Sequence, residues 1–269
     1  ESSAASDVYK RQIYMLIKPD SKFYNDALLN MALLSYNEKQ YQNCINYIEK
    51  YSNLRGKKRN DFMNYLLGSA YYKLNNIDKA IWAFNKTIDE GNDSPYAQKA
   101  ILNLVEIYSN KGDIATTESK IALLTNPNDY NEGIRILGDS YATKGQYQKA
   151  IECYNKITDL SNPKLLYSYG FSLFKMNRLK EAQNYFESLK TSSYYNQAMY
   201  YIFAIDYQLK NYKKILDNKD EIKRVIVNQQ DTESINLIIA NAAYELGKYE
   251  LSRDCLLYTS PSPRDPKTS

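Results

Sequence analysis

The stretch Asn64-Tyr-Leu-Leu-Gly-Ser-Ala-Tyr-Tyr-Lys-Leu-Asn-Asn-Ile-Asp-Lys-Ala-Ile-Trp-Ala-Phe84 repeats its own layout downstream. It recurs as Ile134-Arg-Ile-Leu-Gly-Asp-Ser-Tyr-Ala-Thr-Lys-Gly-Gln-Tyr-Gln-Lys-Ala-Ile-Glu-Cys-Tyr154, and again from Leu166 to Phe186. Each copy places a Gly (68, 138, 170), then an Ala (80, 150, 182), then an aromatic (84, 154, 186). Working outward, one small-residue register runs through Cys44, Ala80, Thr117, Ala150, Ala182, Ile215 and Ser252, in steps of 36, 37, 33, 32, 33 and 37. A period near 34 residues predicts a stack of helical hairpins, not one globule around one active site.

Side-chain periodicity agrees. Met63, Leu67, Ala70, Tyr71 and Leu74 share one helical face, and Ile77, Ala80, Ile81 and Phe84 share another. Gly68 and Ala80 fall where paired helices cross, a place that a large side chain would hold open. Gly112, Gly145, Gly247, Asn75 and Asn177 fall in the turns within hairpins, where a left-handed residue ends a helix. Pro19, Pro95, Pro127 and Pro163 fall between copies, where Pro opens a helix without sacrificing an internal hydrogen bond. No stretch alternates Val, Ile and Thr as a strand does, so the expected class is all-α with almost no sheet.

The order Leu-Gly, Tyr, Ala, aromatic at fixed offsets resembles the tetratricopeptide repeat. The resemblance covers Phe23 to Asp254, most strongly in the second, fourth and fifth copies. It weakens in the sixth, where Phe203 and Ile215 replace the two small residues. It implies an α-α superhelix of about seven repeats over residues 13–254, with the first helix of each hairpin lining a concave groove.

The two ends stand outside the repeat. Asp7 to Gln12 can be written GAT GTG TAT AAG AGA CAG, whose reverse complement, shifted by one base, translates as Cys255-Leu-Leu-Tyr-Thr-Ser260. One inverted DNA element can therefore encode both. Residues 1–12 and 255–269 resemble translated adapters of a sequencing library and are set aside as non-native tails. The repeat array is then expected to be truncated at both ends. Enrichment in Asn, Lys, Ile and Tyr fits AT-rich codons and a low-GC bacterial source.

Charge and reactive groups narrow the function. The net charge is +4, from 35 basic and 31 acidic residues, too balanced for a nucleic-acid binder, which needs a clustered basic face. The one basic run, Arg55-Gly-Lys-Lys-Arg59, reads as a solvated connector. There is no His, which removes the commonest general base and metal ligand. No CxxC pair, Gly-rich phosphate loop or GxSxG elbow occurs. Asp89-Glu90 and Asp220-Glu221 read as solvated surface, and Arg135 with Asp139 as an ion pair along one helix. Cys44 and Cys153 read as ordinary thiols within helices. No run reaches the length of a membrane-spanning helix. Neither catalysis, cofactor nor metal is expected.

Tyrosine is the compositional outlier, at 28 of 269 residues. The family resemblance turns Tyr36, Tyr65, Tyr72, Tyr167, Phe174, Tyr200, Tyr207 and Tyr244 towards the groove, with Phe171 between Tyr167 and Phe174. Tyr offers a large apolar face with a polar tip at low entropy cost, which suits peptide recognition. The same positions also favour Tyr as packing between hairpins. The candidate partner site is Tyr65, Tyr72, Tyr167, Phe171, Phe174, Tyr200 and Tyr207. Some family members clamp a peptide carboxylate with Lys and Asn. The corresponding residues here, Leu29 and Leu33, Tyr65 and Ser69, Leu102 and Glu106, Arg135 and Asp139, form no such clamp.

These features indicate a noncatalytic scaffold that binds a protein or peptide segment in the groove. Two other readings use the same features: the sensory or docking arm of a larger enzyme or transcription regulator, and an envelope-associated glycan-binding repeat protein.

Overall fold

The computed structural model describes residues 2–54, 60–89, 91, 93–225 and 229–257, with backbone alone at 2–8, 225, 229 and 230. Among these residues the chain is all α-helix, without a strand. Helix α1 (Ser2–Leu16) precedes seven hairpins. The first three are α2 (Tyr24–Asn37) with α3 (Tyr41–Ser52), α4 (Asp61–Lys73) with α5 (Ile77–Asp89), and α6 (Pro95–Lys111) with α7 (Ile114–Ile121). The fourth and fifth are α8 (Pro127–Thr143) with α9 (Tyr147–Tyr154), and α10 (Pro163–Lys175) with α11 (Leu179–Glu187). In the sixth, α12 (Tyr195–Gln208) meets a broken partner, α13 (Tyr212–Asp217) and α14 (Lys219–Val225). The seventh is α15 (Gln229–Glu245) with α16 (Tyr249–Leu257). The chain divides into two compact units, residues 1–137 and 138–269. The fold class is the α-α superhelix type. Residues set aside as tails in the sequence enter helices at both ends: Arg11 of α1 contacts Glu38 and Gln40, and Cys255 of α16 is buried.

Every hairpin turns in the same way. The left-handed residue stands five positions before the small-residue register in all seven: Lys39, Asn75, Gly112, Gly145, Asn177, Lys210 and Gly247, with φ between 58° and 76°. Each turn closes with the same two backbone hydrogen bonds. In the second, Asn75 N–H donates to Tyr72 O at 3.0 Å and Asn76 N–H to Tyr71 O at 2.9 Å; in the sixth, Lys210 donates to Tyr207 and Asn211 to Asp206. This paired arrangement satisfies carbonyls that a helix end otherwise leaves open. The period varies from 32 to 37 because the connectors between hairpins vary, while the offset inside each hairpin does not. Helix starts are capped by side chains at Asn60, Ser94, Asp113 and Asn162, the second and fourth of these just ahead of Pro95 and Pro163.

The hairpin core is set by an exchange of volume. A Cβ added at Gly68 would lie 2.7 Å from the Phe84 ring, one at Gly170 would lie 3.1 Å from Phe186, and one at Gly138 would collide with Tyr154. These three rings are fully buried. Where the first helix carries Ala32 or Val105 instead of Gly, the second supplies Ile48 or Ile121 instead of a ring. In the sixth hairpin the pair is inverted: buried Phe203 fills the space from the first helix, and Lys219 stands where a ring would be. The second helix breaks there, between Asp217 and Lys219.

Candidate functional site

In unit 1, Tyr65 lies 6.1 Å from Phe84 and 5.9 Å from Tyr96 between ring centroids. In unit 2, Tyr167 lies 5.9 Å from Phe186 and 5.5 Å from Tyr194. The two triads occupy identical registers, so Tyr65 and Tyr167 serve first as packing between neighbouring hairpins. Tyr72 is half-buried in unit 1, where burial and the adjacent Glu106 carboxylate raise its phenol above the ordinary tyrosine value. Tyr207 packs on Tyr212 across its own turn at 6.1 Å, as Tyr36 does on Tyr41 and Tyr244 on Tyr249.

The remaining candidates of unit 2 converge on one residue that the sequence reading passed over. Tyr201 touches five rings: Tyr167 at 6.1 Å, Phe171 at 5.6 Å, Phe174 at 5.3 Å, Phe186 at 5.1 Å and Tyr200 at 5.4 Å. Most of these contacts are edge-on, while Phe186 is stacked at 13°. Tyr201 pairs its hydroxyl with Tyr167, and burial raises both phenols, Tyr201 more strongly. Tyr147 adds an edge contact to Phe171 at 6.0 Å, and the Lys175 ammonium lies 5.3 Å from the Phe171 ring centre. At the register of Tyr201 the other copies carry Asn30, Leu66, Asn103, Ile136, Ser168 and Ile238. At that of Phe171 they carry Leu33, Ser69, Glu106, Asp139, Ala204 and Asn241. These two rings are therefore surplus to the repeat. The signal was available: an aromatic off the repeat's own aromatic positions.

The rest of the inventory is structural. Cys44 and Cys153 are buried, and burial pushes the Cys44 thiol up to about 12. Arg135 donates to the Glu132 carboxylate at 2.8 Å, and Asp139 accepts from the Tyr154 hydroxyl at 2.8 Å. No group of His, Cys, Asp and Glu among the described residues could hold a metal ion, and no described helix is long and apolar enough to cross a membrane. Arg55–Arg59, Glu90 and residues 258–269 lie outside the described residues.

No curated protein sequence matches the chain. Among solved structures, it is similar to a tetratricopeptide repeat protein from Parabacteroides merdae, with 15% identity and a TM-score of 0.58 over 96% of this chain and 94% of that one. It is also similar to the C-terminal part of a repeat-containing protein from Cytophaga hutchinsonii, with 14% identity, a TM-score of 0.56, and 97% and 93% of the two chains covered. The apo quorum sensor NprR from B. thuringiensis shows 16% identity and a TM-score of 0.59 over 95% of this chain and 80% of its own. The tetratricopeptide repeat family model matches residues 63–89 and 136–164. The chain carries tetratricopeptide repeats at these positions, within the helical solenoid fold of tetratricopeptide repeat proteins.

Proposed function

We propose that the protein is a noncatalytic scaffold that binds a protein or peptide segment, with the aromatic surface around Tyr201 as the centre of recognition. The observation that carries this reading is the surplus of Phe171 and Tyr201 over the rings the repeat needs for packing. Both are half-buried, so part of each ring meets solvent. Clustered aromatic anchors dominate binding energies at protein interfaces. Phe174, Tyr200 and Tyr167 all pack against the Tyr201 ring. Tyr207 in unit 2, and Tyr65 and Tyr72 in unit 1, are repeat-type positions, Tyr207 packed on Tyr212 and Tyr65 on Phe84 and Tyr96. The sensory-arm reading draws on the likeness to NprR, described as a quorum sensor, and uses the same surface. The adapter-like ends play no part in either reading.

Selection of displayed peptides on the protein, followed by fluorescence anisotropy, tests the proposal. Phe171→Ala and Tyr200→Ala should each weaken a selected peptide at least about tenfold, or ~1.4 kcal/mol. Peptides that bind both variants as well as the parent protein would overturn it. Retention of glycans alone on a mixed array would also do so, in favour of carbohydrate.

A further inference from the structure

The sixth hairpin departs from the repeat in a way that opens a cleft. Its volume is about 280 Å³, and its floor is Met199, Ile202 and Phe203, all buried. In the first five hairpins a buried side chain of the second helix, Ile48, Phe84, Ile121, Tyr154 or Phe186, fills the space between the helices. Here Phe203 fills it from α12, and the break between α13 and α14 leaves Asn218 and Glu221 at the rim.

The walls hold charges that the other hairpins lack. Asp206 is only 2% exposed and stands where the other copies carry Ser35, Tyr71, Tyr108, Tyr141, Leu173 and Ala243. It accepts from Gln183 Nε2 at 2.9 Å and Asn211 Nδ2 at 3.0 Å, and Lys214 Nζ lies 3.3 Å away. The same ammonium lies 3.0 Å from Glu187 Oε1. Lys214 is therefore shared between two carboxylates. Glu221 has only a neutral donor, the Tyr195 hydroxyl at 2.9 Å, and no cation partner among the described residues. Lys190 completes the rim. Three carboxylates thus face two ammonium groups. Burial first, then the hydrogen bond to Glu221 and the Glu221 and Glu187 charges, push the Tyr195 phenol up to about 12.

We propose that this cleft takes an alkylammonium or guanidinium group on an aliphatic stem, supplied as a Lys or Arg side chain of a docked segment. The stem lies on Met199, Ile202 and Phe203, and the cation meets Glu221. A buried apolar stem with a charged head matches this division of floor and rim. The inference stands apart from the aromatic surface, because a free alkylamine tests the cleft without any peptide.

The test follows the Met199 methyl resonance during titration with n-butylammonium, n-butyrate, and a capped Gly-Lys-Gly peptide. Butylammonium and the capped peptide should give saturable shifts, the peptide at least as tightly, and butyrate should give none. Glu221→Gln should weaken butylammonium about tenfold, and Lys190→Gln, which removes a competing cation, should strengthen it. Lys190 is exposed and Glu221 half-buried, and circular dichroism checks that the fold is kept in both variants. Saturation by butyrate, no saturable shift with butylammonium, or an unchanged affinity in Glu221→Gln would overturn the site. Butylammonium binding with exclusion of the capped peptide would overturn the side-chain source in favour of a free alkylamine.

Discussion

Gly68→Ala in α4 decides whether volume exchange, and not helix propensity, governs the hairpin core. By propensity alone the change stabilises, since Ala is favoured over Gly inside a helix by ~1 kcal/mol. The structure opposes it. The new methyl would sit 2.7, 2.8 and 3.1 Å from Cδ1, Cε1 and Cγ of Phe84. Carbon atoms prefer about 3.5 to 4.0 Å, so the ring or one whole helix must move by most of an ångström. The atoms met are the body of a fully buried ring, not the end of a flexible chain. Overpacking of this kind costs about 1 to 3 kcal/mol. The net expectation is a loss of up to about 2 kcal/mol after the propensity gain, and no net stabilisation.

The decisive measurement is the double variant. Gly68→Ala with Phe84→Ile reproduces the pair found in the first hairpin, Ala32 with Ile48. Phe84→Ile alone leaves unfilled space beside Gly68 and destabilises as a cavity does. Together the two changes should cost less than the sum of the singles, by about 1 to 3 kcal/mol of favourable coupling. Urea unfolding followed by far-ultraviolet circular dichroism gives the free energies. A repeat array need not unfold as one unit, so hydrogen exchange in α4 and α5 locates the effect. A stabilising Gly68→Ala, or singles that add within about 0.5 kcal/mol, would refute volume exchange.

Three further outcomes follow from the same geometry. Lys39→Gly and Lys210→Gly should each raise the unfolding free energy by about 0.5 to 1 kcal/mol, because both lysines hold the left-handed conformation that glycine adopts without steric cost; an unchanged urea midpoint would contradict this. Ser35→Ala should be neutral or stabilising by up to about 1 kcal/mol, since the buried Ser35 hydroxyl has no hydrogen-bond partner among the described residues; thermal unfolding should show no loss. The Asp113 carboxyl, held below the ordinary aspartate value by hydrogen bonds from Thr116, stabilises the start of α7 above its unfolded pKa, and that contribution fades as pH falls through the lower folded value; carboxyl NMR should show the depressed titration, and Thr116→Ala should relax it towards normal.

The hairpins were legible because their constraints are local. A left-handed turn residue is announced by Gly or Asn, and five of the seven turns carry one. Lys39 and Lys210 carry no such mark, and only the constant offset from Cys44 and Ile215 identifies them. The crossings at Gly68, Gly138 and Gly170 were legible for the same reason, because a missing side chain is visible in the sequence while its partner ring lies at a fixed distance. Tyr201 was legible only as an aromatic off the repeat's own positions, and its role was not. Its importance arises from five rings on three helices, and no spacing within one copy contains that information. Tyr65 and Tyr207 show the converse: a family position names the residue, but its neighbours decide whether the ring packs or is offered.

The sixth hairpin ties these threads together. Two sequence departures mark it, Phe203 in place of Gly and Lys219 in place of a ring, and they compensate in volume but not in polarity. Moving the bulk from the second helix to the first keeps Phe203 buried, yet it leaves a charged residue on a helix that elsewhere closes the core. That helix breaks at Asn218, and the buried Asp206 carboxylate of α12 is held by Gln183 of α11, Asn211 and Lys214. A fully partnered carboxylate inside an apolar array is maintained only by several donors at once. Such an arrangement favours one geometry over stability. Aromatic surplus at Tyr201 and the open cleft beside Asp206 both involve α12, so that helix is where this array departs furthest from a uniform stack.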